Sequence, residues 1–151
     1  MSAQGTLAKT EETAMAKATI PDVEQLMNDY FELRNGDTSK LDVLSETFTF
    51  HHPLGEVHGP DALVAMQREN EQAISDGAIT VNEMLVGDDV AMWEWTLTGK
   101  HEGEWQGIQP SGNEVTVKGI SKTVIADGKI QENWAYFDSQ EFLTQLGASI
   151  E

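Results

Sequence analysis

Four histidines, a Trp-x-Tyr-x-Asp run and one helical tyrosine are the residues of this chain whose types and spacing could do chemistry. Trp134, Tyr136 and Asp138 alternate along a strand-like run, so regular pleating puts all three on one face, with the carboxylate beyond two aromatic rings. Apolar surroundings raise a carboxyl pKa towards the range where it can take and return a proton beside a carbonyl. The same aspartate opens Asp138-Ser139-Gln140-Glu141, which has the spacing of a capping box. Catalysis and capping of a final helix are both written into these residues.

His52 shares a strand face with Phe48 and Phe50 and is expected to point into a pocket, while His51 points away. His101 shares a face with Trp93, Trp95 and Leu97. Either His52 or His101, or the hydroxyl of Tyr30 on the apolar stripe of the first helix, could stabilise an enolate oxygen; each also fits as a packing residue. His51, His52, His58 and His101 are metal-ligand types, but no His-x-x-x-His or comparable spacing joins them. No metal and no cofactor are expected. Trp93, Trp95, Trp105 and Trp134, with Tyr136, suit stacking against a flat apolar ligand, and the same residues could equally fill a core or an interface.

The elements that must position these groups read as helices followed by strands. Pro21 suits the first turn of a helix whose apolar stripe is Val23, Leu26, Met27, Tyr30 and Leu33, stopped by Asn35-Gly36. Thr38 or Ser39 can cap a short second helix, and Thr47 to His52 alternates as a strand. Gly59-Pro60 opens a third helix running to about Ser75. The runs Ile79 to Val86, Asp89 to His101, Glu114 to Ala126 and Lys129 to Phe137 are β-rich, with hairpin signals at Gly87-Asp88-Asp89 and Asp127-Gly128. Ser139 to Leu146 reads as a last helix. Helices first and an antiparallel sheet after them predict an α+β domain with helices on one face of a curved sheet.

At 151 residues the chain fits one domain with a core large enough to hold an internal pocket. Residues 1–19 are small and polar and are expected to form a flexible leader, with the domain over 20–151. The leader lacks the apolar block of a secretory signal, and a cytoplasmic location is expected. The absence of cysteine excludes disulfides and thiolate chemistry. Nine Lys and Arg against 26 Asp and Glu leave a net charge of −17, dispersed along the chain. Such a surface repels phosphate backbones and anionic membranes and suits a salt-tolerant, halophile-like acidic shell.

Three stretches carry a resemblance. They are His51-His52-Pro53 with His58-Gly59-Pro60-Asp61-Ala62-Leu63; Trp95-Thr96-Leu97-Thr98-Gly99-Lys100-His101-Glu102-Gly103 continuing through Gly107 to Gly112; and Asp127-Gly128-Lys129-Ile130-Gln131-Glu132-Asn133-Trp134 with Tyr136, Asp138 and Gln145-Leu146-Gly147. In this order and spacing the chain resembles the SnoaL-like polyketide cyclases of the nuclear transport factor 2-like superfold. The resemblance implies a cone-shaped homodimer joined through its sheet. It also implies cofactor-independent aldol-type cyclisation or isomerisation of an apolar carbonyl compound, with Asp138 of a W-x-x-x-D pattern as general acid/base. The alternative on the same fold is a protein that only binds a small apolar ligand. An epoxide-hydrolase-like Asp-Arg-Asp site would need a pocket arginine, whereas Arg34 and Arg68 are read as helical residues among polar neighbours.

Overall fold

The computed structural model describes residues 19–148. Thr19 caps helix α1 (Ile20–Arg34) by accepting the Asp22 N–H, and Pro21 occupies its first turn. Apart from Thr19, the expected leader lies outside the described residues. Val23, Met27, Tyr30 and Leu33 are fully buried, so the 3.6-residue stripe is the face α1 turns to the sheet. Burying each such apolar side chain is worth about 1.5–3 kcal/mol. A 3₁₀ turn over Thr38–Val43 follows, capped by Asp37 rather than by Thr38 or Ser39.

Strand β1 (Leu44–His52) turns back into a short β2 (Gly55–His58), which the sequence reading did not separate from the loop. Helix α2 (Pro60–Ala73) then leads into β3 (Ile74–Gly87), β4 (Val90–His101), β5 (Glu114–Ala126), β6 (Lys129–Phe137) and α3 (Ser139–Gln145). The sheet order is β2-β1-β6-β5-β4-β3. All neighbours are antiparallel except β1 and β6. The two long hairpins turn at Asp89 and at Asp127-Gly128, where positive φ values of 57°, 54° and 75° meet what tight hairpin turns require.

This is the expected α+β arrangement: three helices on the concave face of one curved sheet. One irregularity decides what the concave face carries. Between Ile130 and Glu132, β6 takes two residues while its partner β5 takes one, from Ile125 to Val124. This bulge reverses which residues of β6 point inward. Ile130 is buried before it; Asn133 and Ala135, not Trp134 and Tyr136, are buried after it. Among the described residues no helix is long and apolar enough to cross a membrane.

Candidate active site

Between the helices and the concave sheet face lies a cavity of about 310 Å³. Its walls are aromatic: Phe50, Trp93, Trp95, Trp105, Phe137 and Phe142. Each of its indole N–H groups is held by the protein, leaving the ring faces for a ligand. Trp93 donates to Thr123 Oγ1 at 3.0 Å, Trp95 to Ser121 Oγ at 2.9 Å and Trp105 to Asn70 Oδ1 at 3.0 Å. Trp95 lies across Gly119 of the neighbouring strand, where any Cβ would collide with its ring. That glycine is what lets the indole reach Ser121.

Helix α1 and strand β1 supply the polar groups by matched periodicities. Tyr30 and Arg34, one turn apart, lie over Phe48 and Phe50, two residues apart, and His52 is the next inward position. The Arg34 guanidinium sits 4.6 Å from the centre of the Phe50 ring, and the Phe50 and His52 rings are 5.1 Å apart. Arg34 Nε donates to Gln67 Oε1 at 2.9 Å and Nη1 to Tyr30 Oη at 3.0 Å. Gln67 in turn donates to the Leu33 carbonyl at 3.1 Å. Beneath them, Asn133 Nδ2 donates to Tyr30 Oη at 3.0 Å and Thr123 Oγ1 to Asn133 Oδ1 at 2.7 Å. Five elements are tied by one chain of bonds from Trp93 to Leu33.

The electrostatics follow from burial. Burial raises the Tyr30 pKa, opposed by Arg34 and Asn133, so the phenol stays protonated at neutral pH. Burial, and then the Arg34 charge, lower the pKa of His52. Its Nδ1 accepts the Leu54 N–H at 3.2 Å, so in the neutral ring the proton rides on Nε2. The cavity therefore presents one fixed cation and one neutral imidazole N–H among aromatic faces. Glu56 also borders it, but its carboxylate bonds His51 Nδ1 at 2.8 Å and His58 Nε2 at 3.3 Å.

The residues singled out from sequence fall in three places. His52, Trp93 and Trp95 line the cavity. Tyr30 and His101 are fully buried outside its lining. His101 Nδ1 accepts the Ser111 N–H at 3.2 Å and lies 3.0 Å from Ser111 Oγ. Its Nε2 is, among the described residues, the one enclosed side-chain nitrogen or oxygen with no partner. Trp134, Tyr136 and Asp138 are not brought to the cavity. Trp134 is on the convex face, stacked on His51 at 4.8 Å and 8° with Lys122 Nζ 5.4 Å from its ring, and Tyr136 is 61% exposed. Straight alternation, which predicted an inward face for them, fails at the β6 bulge. Asp138 is exposed, and its Oδ1 accepts the Glu141 N–H at 3.0 Å as the N-cap of α3. No group of three or more metal-ligand side chains is found among the described residues.

Arg34 corrects the sequence reading, which kept it among polar neighbours outside the pocket. The signal was its i, i+4 spacing from Tyr30 and the matching spacing of Leu63 and Gln67 on α2. Its partners are Tyr30 and Gln67, so an Asp-Arg-Asp arrangement is not formed.

Among curated proteins none matches the chain. Solved structures do. TsrD from Streptomyces laurentii is 29% identical over 87% of this chain and 99% of that one, with a TM-score of 0.75. A Jannaschia sp. CCS1 protein classed as a SnoaL-like polyketide cyclase is 19% identical over 89% of this chain and 99% of its own, at a TM-score of 0.77. A Catenulispora acidiphila protein with a ketosteroid isomerase-like fold, solved with trimethylamine, is 12% identical over 83% and 94%, at 0.69. These likenesses establish the nuclear transport factor 2 and ketosteroid isomerase type of cone. The family model for the SnoaL-like polyketide cyclases matches residues 21–146, which runs from the first turn of α1 to the end of α3, and the chain belongs to that family.

Proposed function

We propose that the protein binds a flat, apolar polycarbonyl compound in the aromatic cavity and promotes its intramolecular aldol-type closure or isomerisation without a cofactor. The observation that carries this reading is the pairing, on one aromatic wall, of a neutral His52 whose Nε2–H faces outward from its backbone bond with the Arg34 charge. A donor aimed where negative charge develops is usually the largest single contribution to such catalysis. The carbonyl oxygen rests on His52 Nε2–H. A proton between two carbonyls passes to water at the cavity mouth, the enolate carbon attacks the second carbonyl, and the resulting alkoxide takes a proton back from water. The acid/base role expected of Asp138 passes to water in this reading, and of the three oxyanion donors the sequence offered, His52, His101 and Tyr30, it is His52 that takes the part.

Proton exchange beside the carbonyls of aromatic β-diketones and polyketide esters, followed by deuterium incorporation, tests it. His52→Gln is expected to lose about 10²-fold in exchange rate, whereas Asp138→Asn, which still caps α3, is expected to keep wild-type rates. Loss in Asp138→Asn with retention in His52→Gln would restore the aspartate as the acid/base. Binding without exchange would make this a ligand-binding protein, a second reading favoured by the engagement of the Asp138 carboxylate as a helix cap.

A homodimer through the convex sheet face belongs to the same proposal. Leu85, Met92, Ile120 and Tyr136 are exposed there as neighbours in the register. Lys118 and Lys122 flank Ile120 on β5. In a chain of net charge −17, two copies meet at lowest cost where cations and apolar side chains collect.

A further inference from the structure

Among the described residues Arg34 has no counterion. Five carboxylates, Asp29, Glu32, Glu56, Glu102 and Glu132, pair with Lys40, Lys100, His51 or His58, yet among the described residues no carboxylate lies within ion-pair distance of Arg34. Removing an arginine from water without a partner is costly, and a protein keeps such a group only where something else meets its charge. Of the five N–H groups of a guanidinium, Nε and Nη1 spend one each on Gln67 and Tyr30. The remaining ones have no acceptor among the described residues, and they are not sealed in: the only enclosed unpartnered side-chain atom among those residues is His101 Nε2. Arg34 borders the cavity.

A second chamber of about 140 Å³ adjoins the first, and Arg34, Asn70, Ile79, Leu97 and Phe142 belong to the walls of both. The second chamber is the more polar one, adding Asn35, Gln67 and Glu71. Arg34 thus stands where an aromatic room meets a polar one, its plane steadied by Gln67, Tyr30 and the Phe50 ring.

We infer that the ligand is an acid: its apolar body fills the aromatic cavity and a carboxylate meets the free N–H groups of Arg34 at the junction with the second chamber. This rests on the proposed use of the cavity and names the class of compound it takes. A planar carboxylate matches a guanidinium in geometry as well as charge, which a neutral carbonyl or amide does not. Arg34 here is a binding residue, and the reacting carbonyl remains at His52.

The test compares 2-naphthoate with 2-naphthamide, near-isosteres of the same aromatic body, by quenching of tryptophan fluorescence at about 0.5 M NaCl so that the acidic exterior is screened. Wild type is expected to bind the carboxylate at least tenfold more tightly. Arg34→Gln is expected to bind the two within about twofold of each other, with naphthamide affinity held near the wild-type value. Equal or weaker binding of naphthoate by wild type, or binding of neither probe, overturns the inference even if Arg34→Gln fails to fold. The deuterium exchange of a neutral β-diketone is read separately. Exchange without carboxylate preference removes this inference alone, and carboxylate preference without exchange removes only the catalytic reading.

Discussion

His51 and His52 are neighbours in sequence, yet they serve two faces of the sheet built on different physics. On the convex side His51 lies between two carboxylates, with Nδ1 2.8 Å from Glu56 and Nε2 2.9 Å from Glu132, and stacks on Trp134. Partial burial works against its charge, but hydrogen bonds to Glu132 and Glu56 outweigh this and raise its pKa. On the concave side His52 has no carboxylate beside it; burial and the Arg34 charge lower its pKa. The convex face manages charge with opposite charge. On the concave face the one carboxylate at the aromatic cavity, Glu56, is bonded to His51 and His58, and the Arg34 charge is left for a ligand. A single residue of strand register separates a salt-bridged histidine from a proton donor.

The comparison is sharpest in β6, where Asn133 faces inward and Trp134 outward. Asn133→Ala is expected to cost about 3 kcal/mol in urea unfolding, because it opens a void and leaves Tyr30 and Thr123 with unmet hydrogen-bonding groups. Trp134→Ala removes more surface but only partly exposed contacts, and is expected to cost about 1 kcal/mol. Equal costs would mean the buried network is no more demanding than the convex face.

The convex face should matter for assembly instead. Ile120→Glu introduces an acid beside Glu94 and Tyr136. In sedimentation equilibrium it is expected to weaken self-association by at least tenfold while naphthoate binding stays within twofold of wild type. A wild-type protein that sediments as a monomer, or a variant that dimerises unchanged, removes the sheet-face dimer.

The smallest expected effect is the pH dependence of stability, opposite in sign for the two histidines. For His52, whose folded pKa lies below the ordinary 6.5, stabilisation is present above 6.5 and lost as pH falls through the folded value. For His51, whose folded pKa lies above 6.5, stabilisation is present below 6.5 and lost as pH rises through the folded value. Melting curves from pH 5 to 8 should show His52→Gln flattening the acid limb and His51→Gln the alkaline limb. The same slope change from both variants would show that the two faces are not electrostatically distinct.

Much of this contrast was legible in the residues. The period of α1, the alternation of Phe48, Phe50 and His52, and the Asp-Gly hairpin signals follow from local rules that the fold leaves intact. The inward histidine and the Trp93 and Trp95 wall followed from them. Asp138 as a helix cap was also local, fixed by its three-residue distance to Glu141.

What only the tertiary structure decided lies where local rules are broken or where distant residues meet. The extra residue at Gln131 is set by how β6 pairs with both β5 and β1, and no pattern within β6 marks it. It sent Trp134 and Tyr136 outward and brought Asn133 beneath Tyr30, 103 positions away along the chain. Arg34 was readable as helical but not as a cation without a carboxylate among the described residues, since that depends on every element that packs there. The sequence by itself determined which residues can titrate, stack and cap. Packing alone determined which of them share a cavity, because burial and neighbouring charge, not residue type, set what a side chain does there.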